Sequence, residues 1–242
     1  MGSVSSCVRR NNQPLMKTRN HTLLSLAAFA GLALAATSAT AEVITPVSAT
    51  ASSEYNATNG AAGNLLGPGF TALDPIESST HADGAWGTSA HWFSTGDDKA
   101  TPRIDFDLGG TFTVTKAHIW NYNGNPDLSW GVKDFTLIFS QDAIFGNGDD
   151  TEQSFTGMAL APGTTTYTGE HFTLTPEVGV TNIRLQVDTP NGGSFTGLSE
   201  VRFSGSVVPD NDAPMIAPLS PADDATGVAP ATHLLATFDE SI

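Results

Sequence analysis

From Val43 onward the sequence never runs long without a backbone breaker. Short stretches rich in Val, Ile, Thr, Phe and Tyr alternate with clusters of Gly, Asn, Asp and Pro. A helix needs an apolar stripe repeating at i, i+3, i+4 and i+7 with caps at its ends, and no long stretch supplies one. Short β-prone runs bounded by turn residues instead predict strands, and a chain built of such strands closes into an antiparallel sandwich or barrel. The expected strands are residues 43–51, 103–108, 114–122, 132–140, 166–174, 182–187 and 199–207. Alternation in two of them places Phe135, Leu137 and Phe139, then Ile183, Leu185 and Val187, on one face, so these six are expected core residues. Trp92 and Trp120, next to strand residues, are expected there too.

The N-terminus reads differently. Lys17 and Arg19 precede an apolar run over residues 23–36 and a small-residue site, Ala39-Thr40-Ala41. That order predicts a cleaved secretory signal peptide, with Met16 as the start and mature protein from Glu42. A membrane anchor needs about 20 apolar residues, and here polar residues begin at Thr37. The lone cysteine, Cys7, lies in this leader (residues 1–41), so the exported part forms no internal disulfide. Core burial must hold it together, and a domain of about 165 residues buries roughly 70% of its unfolded surface. Four of the ten basic residues (Arg9, Arg10, Lys17, Arg19) also belong to the leader, leaving six against 25 acidic ones, a formal charge of −19 from Glu42 onward. Such a chain repels nucleic acid and anionic lipid.

After Val207 the composition shifts. A short polar linker leads into Ser220-Pro221-Ala222-Asp223-Asp224-Ala225-Thr226-Gly227-Val228 and then Leu234-Leu235-Ala236-Thr237-Phe238, which looks like the opening of a bacterial Ig-like domain. An Ig-like sandwich needs about 100 residues, so residues 208–242 are expected to be an incomplete one, part of a larger multidomain protein.

Between these ends, five segments occur in a telling order. They are the Ser/Thr-rich Ala49-Thr50-Ala51-Ser52-Ser53, the aromatic stretch His91-Trp92-Phe93-Ser94, the turn-like Asp107-Leu108-Gly109-Gly110, the strand opener Gly131-Val132-Lys133-Asp134-Phe135, and the closing Leu198-Ser199-Glu200-Val201-Arg202. Together they resemble the discoidin-like (coagulation factor 5/8 type C) domain, akin to the family 32 carbohydrate-binding modules, over residues 42–207. The resemblance implies a galactose-binding-domain-like jelly-roll β-sandwich whose loops at one end bind ligand. It also implies, as in many members, a structural calcium ion, with Glu200 in the closing strand and Asn64 in the Asn64-Leu65-Leu66-Gly67 loop as its side chains here. That loop lacks the acidic or amide residue the family carries after Leu66. Alternation offers another reading of Glu200, as half of a solvated pair with Arg202. The Asp-Leu-Gly segment is read as a reversal, with Ile104, Phe106 and Leu108 facing the core and Gly109-Gly110 giving the freedom to turn.

Sugars present C–H faces that stack on aromatic rings and hydroxyls that need paired donors and acceptors. Three loops have that composition, and they supply the candidates His81, Trp86, Asn123, Asn125 and Trp130. His81 and His91 without a third His or a Cys do not suggest zinc, and the acidic Gly146-Asn147-Gly148-Asp149-Asp150 lacks EF-hand spacing and reads as a polar hairpin loop. No Gly-x-Ser-x-Gly elbow, His-Glu-x-x-His pair or phosphate-cradling loop is present. Three functions stay open: a non-catalytic glycan-binding or adhesion module of a secreted or cell-surface bacterial protein, an accessory domain of a polysaccharide-degrading enzyme, or a structural spacer of an adhesin. The partners expected are glycans and other domains of the same chain, with no nucleic acid and no membrane insertion.

Overall fold

The structure, a computed structural model, describes residues 41–67, 75–81, 90–209, 219–221, 224–229 and 233. The chain divides into two compact units, residues 1–38 and 39–242, and every described residue belongs to the second. The expected signal peptide, most of the expected Ig-like segment and Trp86 lie outside the described residues. Among the described residues, no helix is long and apolar enough to cross a membrane.

Among the described residues eight strands carry the fold: β1 (Glu42–Ile44), β2 (Ser48–Ala51), β3 (Trp92–Phe93), β4 (Arg103–Asn121), β5 (Val132–Ser140), β6 (Thr151–Phe155), β7 (Glu170–Pro190) and β8 (Gly197–Val207). The helical elements are 3₁₀ turns at Ala62–Leu66, Ile76–Ser78 and Leu128–Trp130. The strands pair in the order β1-β8-β4-β7-β5-β6, with β2 added to β4 and β3 to β8, and every strand pair is antiparallel. The all-β antiparallel architecture expected from the breaker rhythm is the one observed.

The six predicted core residues, with Trp92 and Trp120, are all buried. Phe135, Leu137 and Phe139 of β5 sit opposite Val187, Leu185 and Ile183 of β7 in register, so the alternation in the two sequences becomes one shared apolar face. Ile104, Phe106 and Leu108 are buried against the same core. Asp105, facing the other way, receives both Nε and Nη2 of Arg184 at 2.6 and 2.8 Å from the paired position on β7.

The Gly109-Gly110 reversal is not observed. Residues 103–121 form one strand, and its register with β7 jumps from Asp107↔Asn182 to Phe112↔Val180. Gly109 takes φ 72, and the Asp107 carboxylate accepts its N–H at 2.9 Å. Before this corner β4 pairs with β2 and β7; after it, with β8 and β7. The bulged corner therefore bends a continuous strand, so that its two halves take different neighbours. Local sequence permits either a hairpin or such a corner, and the long-range pairing with β7 selects the corner. β7 likewise unites the expected strands 166–174 and 182–187. β6, absent from the sequence reading, is Thr-Glu-Gln-Ser-Phe, poor in β-branched residues; it forms because β5 offers it an edge and Phe155 stacks on Phe135 at 5.2 Å.

β8 lies between β1 and β4, and all its residues from Gly197 to Gly205 are buried. The solvated Glu200–Arg202 face is therefore corrected: both faces of this strand are covered, because the 3₁₀ turn Ala62–Leu66 and residues 75–81 lie over the side away from the main core.

Leu137→Ala should lower unfolding free energy by about 2–5 kcal/mol, the range for a truncated, fully buried leucine. Urea denaturation of parent and variant measures it, and a difference near zero would mean that Leu137 is not in the packed interior.

Candidate functional site

The loop between β4 and β5 is built by side chains that take over backbone hydrogen bonds. Asn121, buried at the end of β4, donates through Nδ2 to the carbonyls of Val132 (2.8 Å) and Ala159 (2.7 Å) and accepts the Val132 N–H at 2.8 Å. Asn123 repeats the device one step out: Nδ2 donates to the Thr164 carbonyl at 2.8 Å, and Oδ1 accepts the Gly163 N–H at 2.9 Å. Asp127 caps the following 3₁₀ turn by accepting the Ser129 N–H and hydroxyl at 3.0 and 2.6 Å; these bonds hold its carboxyl below the usual carboxylate range.

These bonds fix two loops, residues 122–131 and 157–169, against each other, and a cavity of about 240 Å³ opens between them. Asn123, Asn125, Pro126, Leu128, Pro162 and Gly163 line it. Asn125 and Pro126 are exposed, whereas Asn123 is buried. The cavity thus pairs an accessible amide with proline and leucine surface on walls that are already held in place. It falls below the roughly 300–1,000 Å³ of sites for drug-sized molecules.

The structure brings Asn123 and Asn125 to this cavity and sends Trp130 elsewhere. Trp130 is 5% exposed, with ring centroids of Phe195, Tyr122 and Phe93 at 4.7, 5.2 and 5.6 Å. A Cβ on Gly193 would collide with it, so the glycine lets loop 191–196 close over the ring. A covered ring has no open face for a sugar, and Trp130 acts here as packing. Tyr55, 42% exposed and set edge-on to the partly buried Phe195 at 5.5 Å, is the most exposed aromatic of this cluster. The cavity residues missed in the sequence reading are Pro126, Leu128, Pro162 and Gly163. Pro162-Gly163 was legible as a turn, but nothing local says which loop it faces.

His81 is buried beneath the same loops. Its carbonyl lies 3.4 Å from Asn123 Nδ2, its Nε2 lies 3.8 Å from Glu200 Oε2, and its ring is 5.5 Å from that of His91. Ser199 Oγ accepts the Asn123 N–H at 2.9 Å and lies 2.9 Å from His91 Nδ1. Glu200 contacts the Arg202 guanidinium directly. Arg202 Nη1 donates to the carbonyls of Leu65 and Val201, both at 2.8 Å. Burial pushes the Glu200 carboxyl up, to about 9, with the Arg202 charge opposing; burial lowers Arg202 in turn. The charged pair is the better description, because a guanidinium keeps its proton in proteins and a neutral Glu200 would leave it buried without a counter-charge, the costlier state. Asn64 donates through Nδ2 to the carbonyls of Thr58 (3.0 Å) and His91 (2.8 Å). Among the described residues, no three His, Cys, Asp or Glu side chains gather as a metal site.

No protein-family model matches the chain, and no curated protein matches it. Solved structures similar to it include the family 32 carbohydrate-binding module of Clostridium perfringens NanJ in complex with galactose, at 12% identity and TM-score 0.45, covering 68% of this chain and 98% of that one. A Streptococcus pneumoniae fucose binding module is similar at 13% identity and TM-score 0.46, covering 66% and 93%. A fucolectin from striped bass (Morone saxatilis) serum is similar at 16% identity and TM-score 0.49, covering 71% and 53%.

A second polar chain runs from the surface at Glu77 through His171 to the buried His118. Its Nε2 lies 2.7 Å from Ser204 Oγ and its Nδ1 2.9 Å from His171 Nδ1, while His171 Nε2 lies 3.3 Å from the Glu77 carbonyl. Neutral rings satisfy every contact: Ser204 donates to His118, His118 to His171, and His171 to Glu77. Burial, followed by the His171 charge, lowers His118 from an ordinary 6.5 to about 4; Glu77 opposes this and Lys116 adds to it. The unfolded chain therefore takes up this proton first as pH falls. The stability that neutral His118 contributes is present above about pH 6.5 and is lost toward pH 4, on the order of 2–3 kcal/mol. Melting curves from pH 7 to 4 should fall less steeply for His118→Gln than for the parent; parallel curves would show that His118 does not titrate between the two states.

Proposed function

We propose that the protein is a non-catalytic carbohydrate-binding module of an exported protein, and that it takes a neutral sugar residue in the cavity between loops 122–131 and 157–169. The cavity carries this reading. Pro126, Leu128 and Pro162 offer C–H surface to a pyranose face, and the exposed Asn125 amide offers both a donor and an acceptor to ring hydroxyls. Asn123 and Asp127 have already fixed the walls, so little ordering cost falls on binding. A charge of −19 from Glu42 onward favours uncharged glycans over polyanions. The basic, apolar and small-residue order of residues 17–41 supports export.

On a glycan array the protein should retain neutral glycans, with a dissociation constant on the order of micromolar to millimolar for so small a site. Asn125→Ala should weaken binding by roughly 3- to 10-fold, one lost hydrogen bond's worth, while leaving the melting midpoint unchanged. Trp130→Ala should instead destabilise the fold by about 3–5 kcal/mol. An Asn125→Ala protein that binds like the parent removes this cavity as the site, and a parent that retains no glycan removes the function.

A further inference from the structure

The donor set around Glu200 does not suit the calcium ion that the family resemblance implies. Calcium takes six to eight oxygens, with carboxylates among them. Here the Glu200 carboxylate contacts a guanidinium, the Leu65 carbonyl accepts from that same Arg202 Nη1 at 2.8 Å, and Asn64 turns its amide N–H groups, not its oxygen, to the neighbouring carbonyls. A divalent cation on these oxygens would sit against a fixed positive charge.

We infer that Arg202 is the structural cation of this fold: its guanidinium ties the closing strand β8 to the 3₁₀ turn Ala62–Leu66 and neutralises Glu200, so the fold needs no calcium there. The geometry serves that role. Glu200 is wholly buried and Arg202 is 3% exposed, so water does not weaken their attraction as it does on a surface. One nitrogen, Nη1, meets the Glu200 carboxylate and the carbonyls of Leu65 and Val201, and a guanidinium keeps its charge when buried, where a lysine ammonium readily gives up its proton. The joined segments are distant in sequence, and the ion that joins them is covalently part of β8.

Thermal melts and titration calorimetry of the whole protein test this, with calcium chloride alone as the probe. The expected result is a melting midpoint equal within about 1 °C in excess EDTA and in excess calcium, with no heat of calcium binding, since a ligand raises the midpoint only by binding the native state more tightly than the unfolded chain. Arg202→Met should lower the midpoint or prevent folding, because it strands a buried carboxylate, and Glu200→Gln/Arg202→Met should recover most of the loss. A midpoint raised several degrees by calcium, or a double variant no more stable than Arg202→Met, would overturn the inference.

Discussion

β8 runs through the interior of the sheet with both faces covered, and that single constraint propagates outward. β8 pairs with β4 on one side and with β1 and β3 near its two ends on the other, and Ser199, Glu200, Arg202 and Ser204 bring polar atoms into places water does not reach. Each such group left unmet costs about 1–3 kcal/mol, and more if charged. The segments around β8 are accordingly held by those same groups: Arg202 fastens the 3₁₀ turn at Leu65, Ser199 fastens Asn123 and His91, and Ser204 contacts His118 of the neighbouring β4. No cysteine follows residue 41, and these buried polar contacts do the tying that disulfides do in cysteine-rich domains.

The candidate ligand cavity is a consequence of the same scheme. Asn123 is anchored to β8 through its backbone and to residues 163 and 164 through its side chain. The position of one cavity wall is thereby referred back to the centre of the sheet. Asn125, two residues further on, points into solvent from a stiff base. An arrangement in which buried residues set the geometry and an exposed one makes the contact is what weak, selective binding of a small polar ligand requires.

The sequence disclosed the parts of this that depend on periodicity. Alternation at Phe135, Leu137 and Phe139 has a period of two whatever the tertiary context, so the core face was legible. Glu200 and Arg202 show where alternation stops being informative: it says that they share a face but not that a 3₁₀ turn from far upstream covers it. Gly109-Gly110 failed similarly, because glycine permits a reversal and a bulge equally and the choice belongs to a partner strand. Trp130 looked like a loop aromatic flanked by glycine, yet Gly193 leaves room for a loop to close over it. Asn125 was legible through its composition alone, and Pro162-Gly163 were not, since the contact that makes them a cavity wall spans residues distant in the chain.

The central claim is that a fixed cavity between two loops of an acidic β-sandwich holds a sugar. Amide chemical-shift mapping, with the glycan retained on the array titrated into ¹⁵N-labelled protein, tests it most directly. The account predicts saturable shifts concentrated at Asn123–Leu128 and Gly163–Thr164, with β8 undisturbed. Shifts centred instead on Tyr55 and Phe195, or spread across the sheet, would contradict it.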